Sequence, residues 1–256
     1  VEDGMKLGLG TGSTAAWMIR ALAERAREEN LRLTCAATSN RSADLAAELG
    51  LKVVTLDQAG WLDLTIDGAD EFDADLTLIK GGGGAHLMEK IVAAASDRMV
   101  VITDASKEVK TLGAFPLPVE VIPFGWQSSR LLIEELLNAM DVMGTHAALR
   151  MNGEKPFVTD QGNYILDLAL GRMAGAISGV VDQLSRRMSI DGVDSIRQRH
   201  VAELVMVTVG FAVGSDVREA VAGRQQAVDE VFAVVEQTVK RDFVGHATVV
   251  KEQIDA

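Results

Sequence analysis

Residues 5–29 read "MKLGLGTGSTAAWMIRALAERAREE" and place a short apolar strand, a loop of glycine and hydroxyl residues, and a helix in succession. The alternation continues with strand "LRLTCAAT" (31–38), helix "RSADLAAELG" (41–50) and strand "LKVVTL" (51–56). Short apolar strands between helices are typical of a parallel sheet with helices on both faces. The sequence therefore predicts an α/β fold with a Rossmann-like, mostly parallel sheet. Ligands of such sheets bind beyond the carboxyl ends of the strands.

From residue 121 onward the pattern changes. Strand "VEVIPFG", helix "SSRLLIEELLNAM", strands "HAALRM" and "YILDLAL", and helix "AISGVVDQLSRRM" follow one another. This β-α-β-β-α order predicts a smaller α+β domain of the ferredoxin-like kind. We predict that a buried strand, "AELVMVTVGFA", then returns to the first domain. In the segment "QQAVDEVFAVVEQTVKRDF" the apolar residues are spaced as on one face of a helix, so we predict a helix there. We predict an α/β catalytic domain (1–122 and about 201–222), an α+β domain (123–200) and an unassigned C-terminal helical tail (223–256).

Composition narrows the class of protein. The chain has 256 residues, of which 48% are apolar and only four are proline, so a folded protein with a core is expected. The net charge of -12 argues against nucleic acid or an anionic membrane as a partner, although a local site for a small anion is compatible with it. The single cysteine, Cys35, excludes an intramolecular disulfide, and it reads as a core residue. No membrane-length apolar run and no signal peptide are visible, so a cytoplasmic protein is expected.

The first loop, "GLGTGSTA" (8–15), satisfies the pattern G-x-G-x-x-A, which alone is a weak dinucleotide signal. A dinucleotide site also needs an acid at the end of the second strand, where this sequence reads "ATSNRS" (37–42). Two interpretations remain open. Residues 11–14 bind one phosphate through free N–H groups at a helix start, or the loop is a tight turn capped by Ser13 or Thr14.

The second loop, "IDGADEFD", carries Asp67 and Asp70 on either side of a Gly-Ala turn. Such carboxylates can bind a metal, bind sugar hydroxyls or form a solvated turn. Because no His or Cys lies near them in the sequence, a transition-metal site is the weakest of these alternatives.

The third loop, "KGGGGAHLMEK" (80–90), has four consecutive glycines, which cost conformational entropy unless the backbone must approach another group closely. Lys80 ends a predicted strand, and Glu89 follows about one turn into a helix. Glu89 is about 200° around this helix from Leu87 and Ile91, so we predict that it lies off the face that packs on the sheet. Its alternative role is to complement the helix dipole.

A fourth loop, "TDASKEV", places Lys107 after a further strand, where it is either an anion ligand or a surface charge. All four loops follow predicted strands, and we expect them at one edge of the sheet. A phosphorylated sugar needs what they offer: an anion cradle, hydroxyl acceptors, a carboxylate base, and cations or N–H groups for an oxyanion.

With these motifs the chain resembles type A ribose-5-phosphate isomerase. The matching segments are "GLGTGSTA", "DGADE", "KGGGGAHLMEKIV", "DASKEVKTLGAFPLPVEVIP" and "FVTDQGNYILD". The resemblance implies interconversion of ribose 5-phosphate and ribulose 5-phosphate, with no cofactor and no metal, by a homodimer or homotetramer. It implies Glu89 as the proton-shuttling base, with Asp67 and Lys80 as further catalytic residues. The substrate-binding residues that it implies are Thr11, Gly12, Ser13, Thr14, Asp67, Gly68, Ala69, Asp70, Lys80, Gly81, Gly82, Gly83 and Lys107.

The sequence departs from the family pattern in two ways. The first is the segment "SIDGVDSIRQRHVAELVMVTVG" (189–210) and a tail after Ala222 that exceeds the pattern. The second is that the family's leading helix, which can supply a lysine to the phosphate, is not seen in residues 1–256, and whether Lys6 replaces that lysine is left open. A non-catalytic sugar-phosphate sensor is the main alternative function, but such modules usually carry a basic DNA-reading segment, which is not visible here. A sugar-phosphate deaminase or an acyl-CoA transferase is a second alternative. The paired motifs "DGADE" and "KGGGGA" argue against the deaminase and against the transferase.

Overall fold

The computed structural model describes residues 1–74, 76–140, 142, 144–170, 180 and 247–250. The described residues divide into two compact units. The first contains residues 1–69, 88–108 and 247–250, and the second contains residues 70–87 and 109–170 together with residue 180. This division assigns 70–87 and 109–122 to the second unit, whereas the sequence-based limits place them in the first domain; those limits remain a prediction.

The first unit is built on a five-stranded sheet. Its parallel strands are β1 (Lys6–Leu9), β2 (Thr34–Ala37), β3 (Leu64–Asp67) and β6 (Met99–Asp104), and β12 (Ala247–Val250) pairs antiparallel with β6. The order across the sheet is β12-β6-β3-β1-β2. The helices along this part of the chain are α1 (Ser13–Glu28), α2 (Asn40–Glu48), α3 (Leu56–Ala59) and α4 (His86–Ala94). The predicted parallel α/β fold is thereby confirmed.

Side chains alternate between the two faces of the sheet along each strand, so each face presents residues against which helices pack. Leu7 and Leu9 of β1 pack with apolar residues of α1, such as Ile19, in one buried cluster. On the other face, a Cβ at Gly8 would lie 2.8 Å from Val92 Cγ1 of α4 and 1.9 Å from Thr65 Oγ1. Glycine at position 8 therefore lets α4 pack closely on β1.

The second unit has its own core. A three-stranded antiparallel sheet of β7 (Leu117–Val121), β11 (Tyr164–Leu168) and β8 (Ala147–Leu149) packs with α5 (Trp126–Ala139). Two short hairpins complete the described part, β4 (Glu71–Phe72) with β5 (Leu78–Ile79), and β9 (Met151–Asn152) with β10 (Lys155–Pro156). Ile79 of β5 belongs to this second core.

Two expectations for the first half of the chain were wrong in detail. The strand before the glycine loop, β5, is not part of the parallel sheet but pairs antiparallel with β4. A parallel partner requires a crossover of a dozen or more residues, and the short link between β4 and β5 permits only a hairpin. The predicted strand "LKVVTL" forms only an isolated bridge between Cys35 and Val53, because α3 begins at Leu56 with a capping box from Thr55.

In the predicted helical tail, the described residues form strand β12. The other predicted tail residues, the helix at 176–188 and the strand at 202–212 lie outside the described residues apart from Val180.

Candidate active site

The loop between β1 and α1 ends in a helix start that has no side-chain cap. Gly12 is the N-cap with φ of 109°, and no side-chain cap hydrogen bond is formed in this fully described segment. Ser13 and Thr14 lie inside the first turn and do not cap it. The interpretation as a side-chain-capped turn was therefore wrong, and the N–H groups of the first turn are left without a side-chain acceptor from the cap.

The side chain of Asp67, at the end of β3, anchors this loop by hydrogen bonds to its backbone. Its Oδ1 accepts hydrogen bonds from the backbone N–H of Thr11 (2.9 Å) and of Gly68 (2.7 Å), and its side chain is fully buried. A Cβ at Gly10 would lie 2.1 Å from Asp67 Oδ1 and 2.5 Å from its Cα. Glycine at position 10 thus permits the close approach of the loop to the carboxylate.

A cluster of hydroxyl groups anchors the same loop from the side of β2. Thr11 Oγ1 lies 2.7 Å from Thr38 Oγ1 and donates to Ser39 Oγ at 2.8 Å. Ser42 Oγ donates to the carbonyl of Gly10 at 2.8 Å. The side chains of Thr38, Ser39 and Ser42 are buried. Their segment, "ATSNRS", was considered above only as a place without an acid, although its run of hydroxyl residues was the available signal.

Glu89 lies in the first turn of α4, as predicted, but on the opposite side of the helix from the one expected. Its exposed fraction is 6%, whereas Ile91 is 41% exposed. Val92, three residues after Glu89, is 2% exposed, so these two residues share the buried side of α4. The periodicity failed because it assumed that Ile91 faces the sheet. A carboxylate on the inner side is better shielded from water than one on the outer side.

Lys107 ends a single 3₁₀ turn (Ala105–Lys107) that follows β6, and its side chain is half-buried. Strands β1, β3 and β6 are parallel, so Thr11 and Lys107, which follow β1 and β6, and Asp67, which ends β3, lie at the carboxyl ends of strands in one sheet. Lys6, a candidate for the phosphate side, lies at the opposite, amino end of its strand. It begins β1, and its ammonium donates to the carbonyl of Ala59 at 2.6 Å.

In the second unit, Asp70 and the glycine loop are joined directly. Asp70 Oδ2 accepts the N–H of Gly82 at 2.7 Å, and the N–H of Gly84 donates to the carbonyl of Gly81 at 3.0 Å. Lys80, directly before the loop, is 3% exposed. Two of the four glycine N–H groups therefore donate to protein acceptors: that of Gly82 to Asp70, and that of Gly84 to a carbonyl within the loop.

Three of the glycines are required by geometry. Gly81 has φ of 92° and its Cβ would lie 2.1 Å from His86 Cδ2, while a Cβ at Gly82 would lie 2.3 Å from Asp70 Oδ1. Gly84 has φ of 82° and a Cβ there would meet Phe157 at 2.4 Å. Gly83 is exposed. The four glycines predicted a close approach of the backbone to another group. At Gly81, Gly82 and Gly84 that group is a side chain of the protein itself.

The residues that support this loop from β7 and from directly after β8 were not predicted from the sequence. Arg150 donates to the carbonyls of Gly81 and Gly82, and buried Glu120 accepts the N–H of Leu87 in the first turn of α4. The signal was present in the segment "FVTDQGNYILD". Its Thr159 and Asn163 bind Glu120, and its Asp167 binds Arg150; the sequence analysis gave none of them a role.

In the part of the chain that the structure describes, no group of three or more His, Cys, Asp or Glu residues is arranged to hold a metal ion. The described helices include none with the length and apolar character needed to cross a membrane.

Comparisons with known proteins agree with this fold and with the motifs on it. The family model of ribose 5-phosphate isomerase A (phosphoriboisomerase A) matches residues 34–193. Ribose-5-phosphate isomerase A of Cereibacter sphaeroides is 62% identical over 206 residues, covering 78% of this chain and 79% of the relative. The protein of the same name from Ruegeria sp. is 67% identical over 173 residues, covering 68% of this chain and 66% of the relative.

Solved structures give the same result. Ribose 5-phosphate isomerase A of Methanocaldococcus jannaschii superposes with a TM-score of 0.66 at 38% identity, covering 83% of this chain and 86% of that one. A D-ribose-5-phosphate isomerase in complex with phospho-erythronic acid has a TM-score of 0.68 at 33% identity, covering 84% and 86%. The fold and these relatives define the protein as an isomerase with an α/β fold. The chain belongs to the ribose 5-phosphate isomerase A family.

Proposed function

We propose that the protein interconverts D-ribose 5-phosphate and D-ribulose 5-phosphate through an enediolate, as a step of the non-oxidative pentose phosphate pathway. The observation that carries the proposal is Glu89, a carboxylate with an exposed fraction of only 6% in the first turn of the helix that follows the glycine loop. A shielded carboxylate at a helix start is suited to exchange a proton with a carbon acid.

In the proposed reaction, Glu89 removes the proton from C2 of the open-chain aldose. The electrons of the C–H bond move to the carbonyl oxygen on C1 and form the enediolate. Glu89 then returns the proton to C1, while the hydroxyl proton on O2 passes to O1, so that the ketose forms without any net oxidation. Lys80 stabilises the negative charge on the oxygens, because a cation in a site shielded from water acts strongly on developing charge.

The phosphate is assigned to the loop of residues 11–14 together with Lys107. Support comes from the helix start that lacks a side-chain cap and from the position of Lys107 beyond the carboxyl end of a strand in the same sheet. We assign the sugar hydroxyls to Asp70. Asp67 is fully buried and accepts hydrogen bonds from two backbone N–H groups. We therefore propose that it acts by holding Thr11 in position.

The relatives support the same substrate class. One structural relative is a D-ribose-5-phosphate isomerase solved with phospho-erythronic acid, a phosphorylated sugar acid. The curated relatives carry the name ribose-5-phosphate isomerase A at identities of 62–70%. We further propose a cytoplasmic homodimer or homotetramer that needs no cofactor.

The test is Glu89→Gln, which keeps the shape of the side chain but removes its ability to take a proton. Positioned proton transfer is worth about 10²–10⁴ in rate, so kcat should fall by at least that factor while KM changes little. Glu48→Gln, at the exposed end of α2, is the matched control and should keep the parental kcat. A Glu89→Gln variant with kcat within about tenfold of the parent would assign the base to another residue.

A further inference from the structure

Arg150 contacts the glycine loop through its guanidinium group. Nη1 donates to the carbonyl of Gly81 at 3.1 Å and to the carbonyl of Gly82 at 3.0 Å. The other side of the guanidinium faces Asp167: Nε donates to Oδ2 at 2.9 Å, and Nη2 pairs with Oδ1. The exposed fraction of the Arg150 side chain is 15%. A bidentate pair of this kind fixes the plane of the guanidinium and thereby the direction of its remaining N–H groups.

The two carbonyl contacts set the orientation of two peptide planes. In a trans peptide, the C=O of one residue and the N–H of the next point in opposite directions. The Gly81 carbonyl faces Arg150, and the N–H of Gly82 accordingly faces away from it, toward Asp70 Oδ2 at 2.7 Å. By the same geometry, the contact with the Gly82 carbonyl turns the N–H of exposed Gly83 away from Arg150.

The ion pair lies beside the antiparallel sheet: Asp167 is in β11, and Arg150 directly follows β8. Strands β8 and β11 pair antiparallel with Ala148 opposite Asp167, and the N–H of Arg150 donates to the carbonyl of Ile165 at 2.8 Å. Residues 165, 166 and 168 of β11 are fully buried in this unit. Arg150 therefore reaches the glycine loop from a position directly after β8, where its backbone N–H is bound to β11. Without this contact, glycine peptides rotate easily, because they have no Cβ to restrict them.

We propose that Arg150, held by Asp167, is a positioning residue of the isomerase reaction: it fixes the peptide planes of the Gly81–Gly83 segment so that the Gly83 N–H is presented to a reacting oxygen of the sugar. The proposal rests on the proposed function, in which the glycine loop serves the enediolate.

The test compares Arg150→Met with Arg130→Met in the purified full-length protein. Arg130 is a matched control, because it lies in the same unit and pairs with Glu134 on its own helix at 3.8 Å. For each variant we would measure kcat and KM for ribose 5-phosphate, inhibition by inorganic phosphate, and amide hydrogen exchange of the peptide covering residues 80–87.

For Arg150→Met we expect kcat to fall about 10–100-fold, the scale of a misplacement near 1 Å. KM and the inhibition constant of inorganic phosphate should stay within about threefold, because the phosphate is assigned to the loop at residues 11–14. Exchange in residues 80–87 should accelerate. Arg150→Lys, which keeps the charge and one donor direction, should recover part of kcat, whereas Arg130→Met should match the parent in all four quantities.

A parental kcat in Arg150→Met, or a loss of kcat with unchanged hydrogen exchange, would overturn the proposal. An equal loss in Arg130→Met would overturn it too, because the effect would then be general. If Arg150→Met does not fold, Asp167→Asn decides: slower turnover with faster exchange in residues 80–87 supports the proposal, and parental values refute it. A parent protein that does not isomerise ribose 5-phosphate would instead refute the proposed function, and hydrogen exchange would still report whether Arg150 holds the loop.

Discussion

Replacing Asp67 with asparagine separates two roles for this residue, loop anchor and sugar ligand. The carboxylate accepts two backbone N–H groups through Oδ1, from Thr11 and Gly68. Hydrogen bonds to charged groups are worth about 1.5–3 kcal/mol each, and those between neutral groups about 0.5–1.5 kcal/mol. Asp67→Asn should therefore weaken each bond by about 1 kcal/mol.

The total cost to stability is expected to be about 1–2 kcal/mol, because the neutral amide also avoids part of the desolvation cost of a buried carboxylate. Of the two bonds, only the one to Thr11 bears on the loop of residues 11–14, to which we assign the phosphate. A loss of about 1 kcal/mol there corresponds to about a fivefold weaker affinity for inorganic phosphate. Both effects should appear together if Asp67 acts by holding Thr11.

Urea unfolding followed by circular dichroism gives the stability, and competitive inhibition by inorganic phosphate gives the affinity. Asp63→Asn is the matched control, since Asp63 Oδ2 also accepts a backbone N–H, that of Lys6 at 2.7 Å, but before β3 and not after it. It should leave phosphate affinity unchanged. The reasoning is refuted if Asp67→Asn keeps parental stability and phosphate affinity yet loses turnover, because Asp67 would then act on the sugar itself.

Three further predictions concern the phosphate end, the metal requirement and the cysteine. Lys107→Ala should raise KM much more than it lowers kcat, because this lysine is assigned to the phosphate; an equal loss with unphosphorylated ribose, if that turns over, would remove it from the phosphate site. Exhaustive EDTA treatment should leave turnover intact, and activity lost to EDTA but restored by Mg²⁺ or Mn²⁺ would show a metal requirement. Burial raises the pKa of the Cys35 thiol to about 12, so a thiol reagent at pH 8 should label it only as urea unfolds the protein; rapid labelling of the native state would contradict its burial.

The parts of the fold that depend on neighbours in the sequence were predictable. Helix α1 and the loop before it follow from one apolar strand, a glycine-rich segment and a helical pattern, and the structure places α1 at Ser13–Glu28. The partner of β5 was not predictable in the same way, because two apolar residues fit either a parallel sheet or a hairpin. Chain length between β4 and β5 was the feature that decided it.

The candidate site, too, was predictable only where residues close together in the sequence determine it. The motifs in the sequence indicated Asp67, Asp70, Lys80 and Glu89. They did not indicate which residues hold these side chains and their loops in position. The inner side of α4 depends on which residues the sheet accepts, and the apolar pair Leu87 and Ile91 pointed to the wrong side. The contact of Arg150 with Gly81 joins residues 69 positions apart, and no local pattern reports such a contact.

NMR of ribose 5-phosphate with the protein in D₂O would show whether Glu89 carries a proton between two carbons of the sugar phosphate. We expect ribulose 5-phosphate to appear, and deuterium to enter at C1 of the ketose and at C2 of the aldose. With Glu89→Gln, both conversion and exchange should fall by about 10²-fold or more. Binding of ribose 5-phosphate without conversion or deuterium exchange would identify a sensor, and undiminished exchange in Glu89→Gln would contradict the assignment of the base.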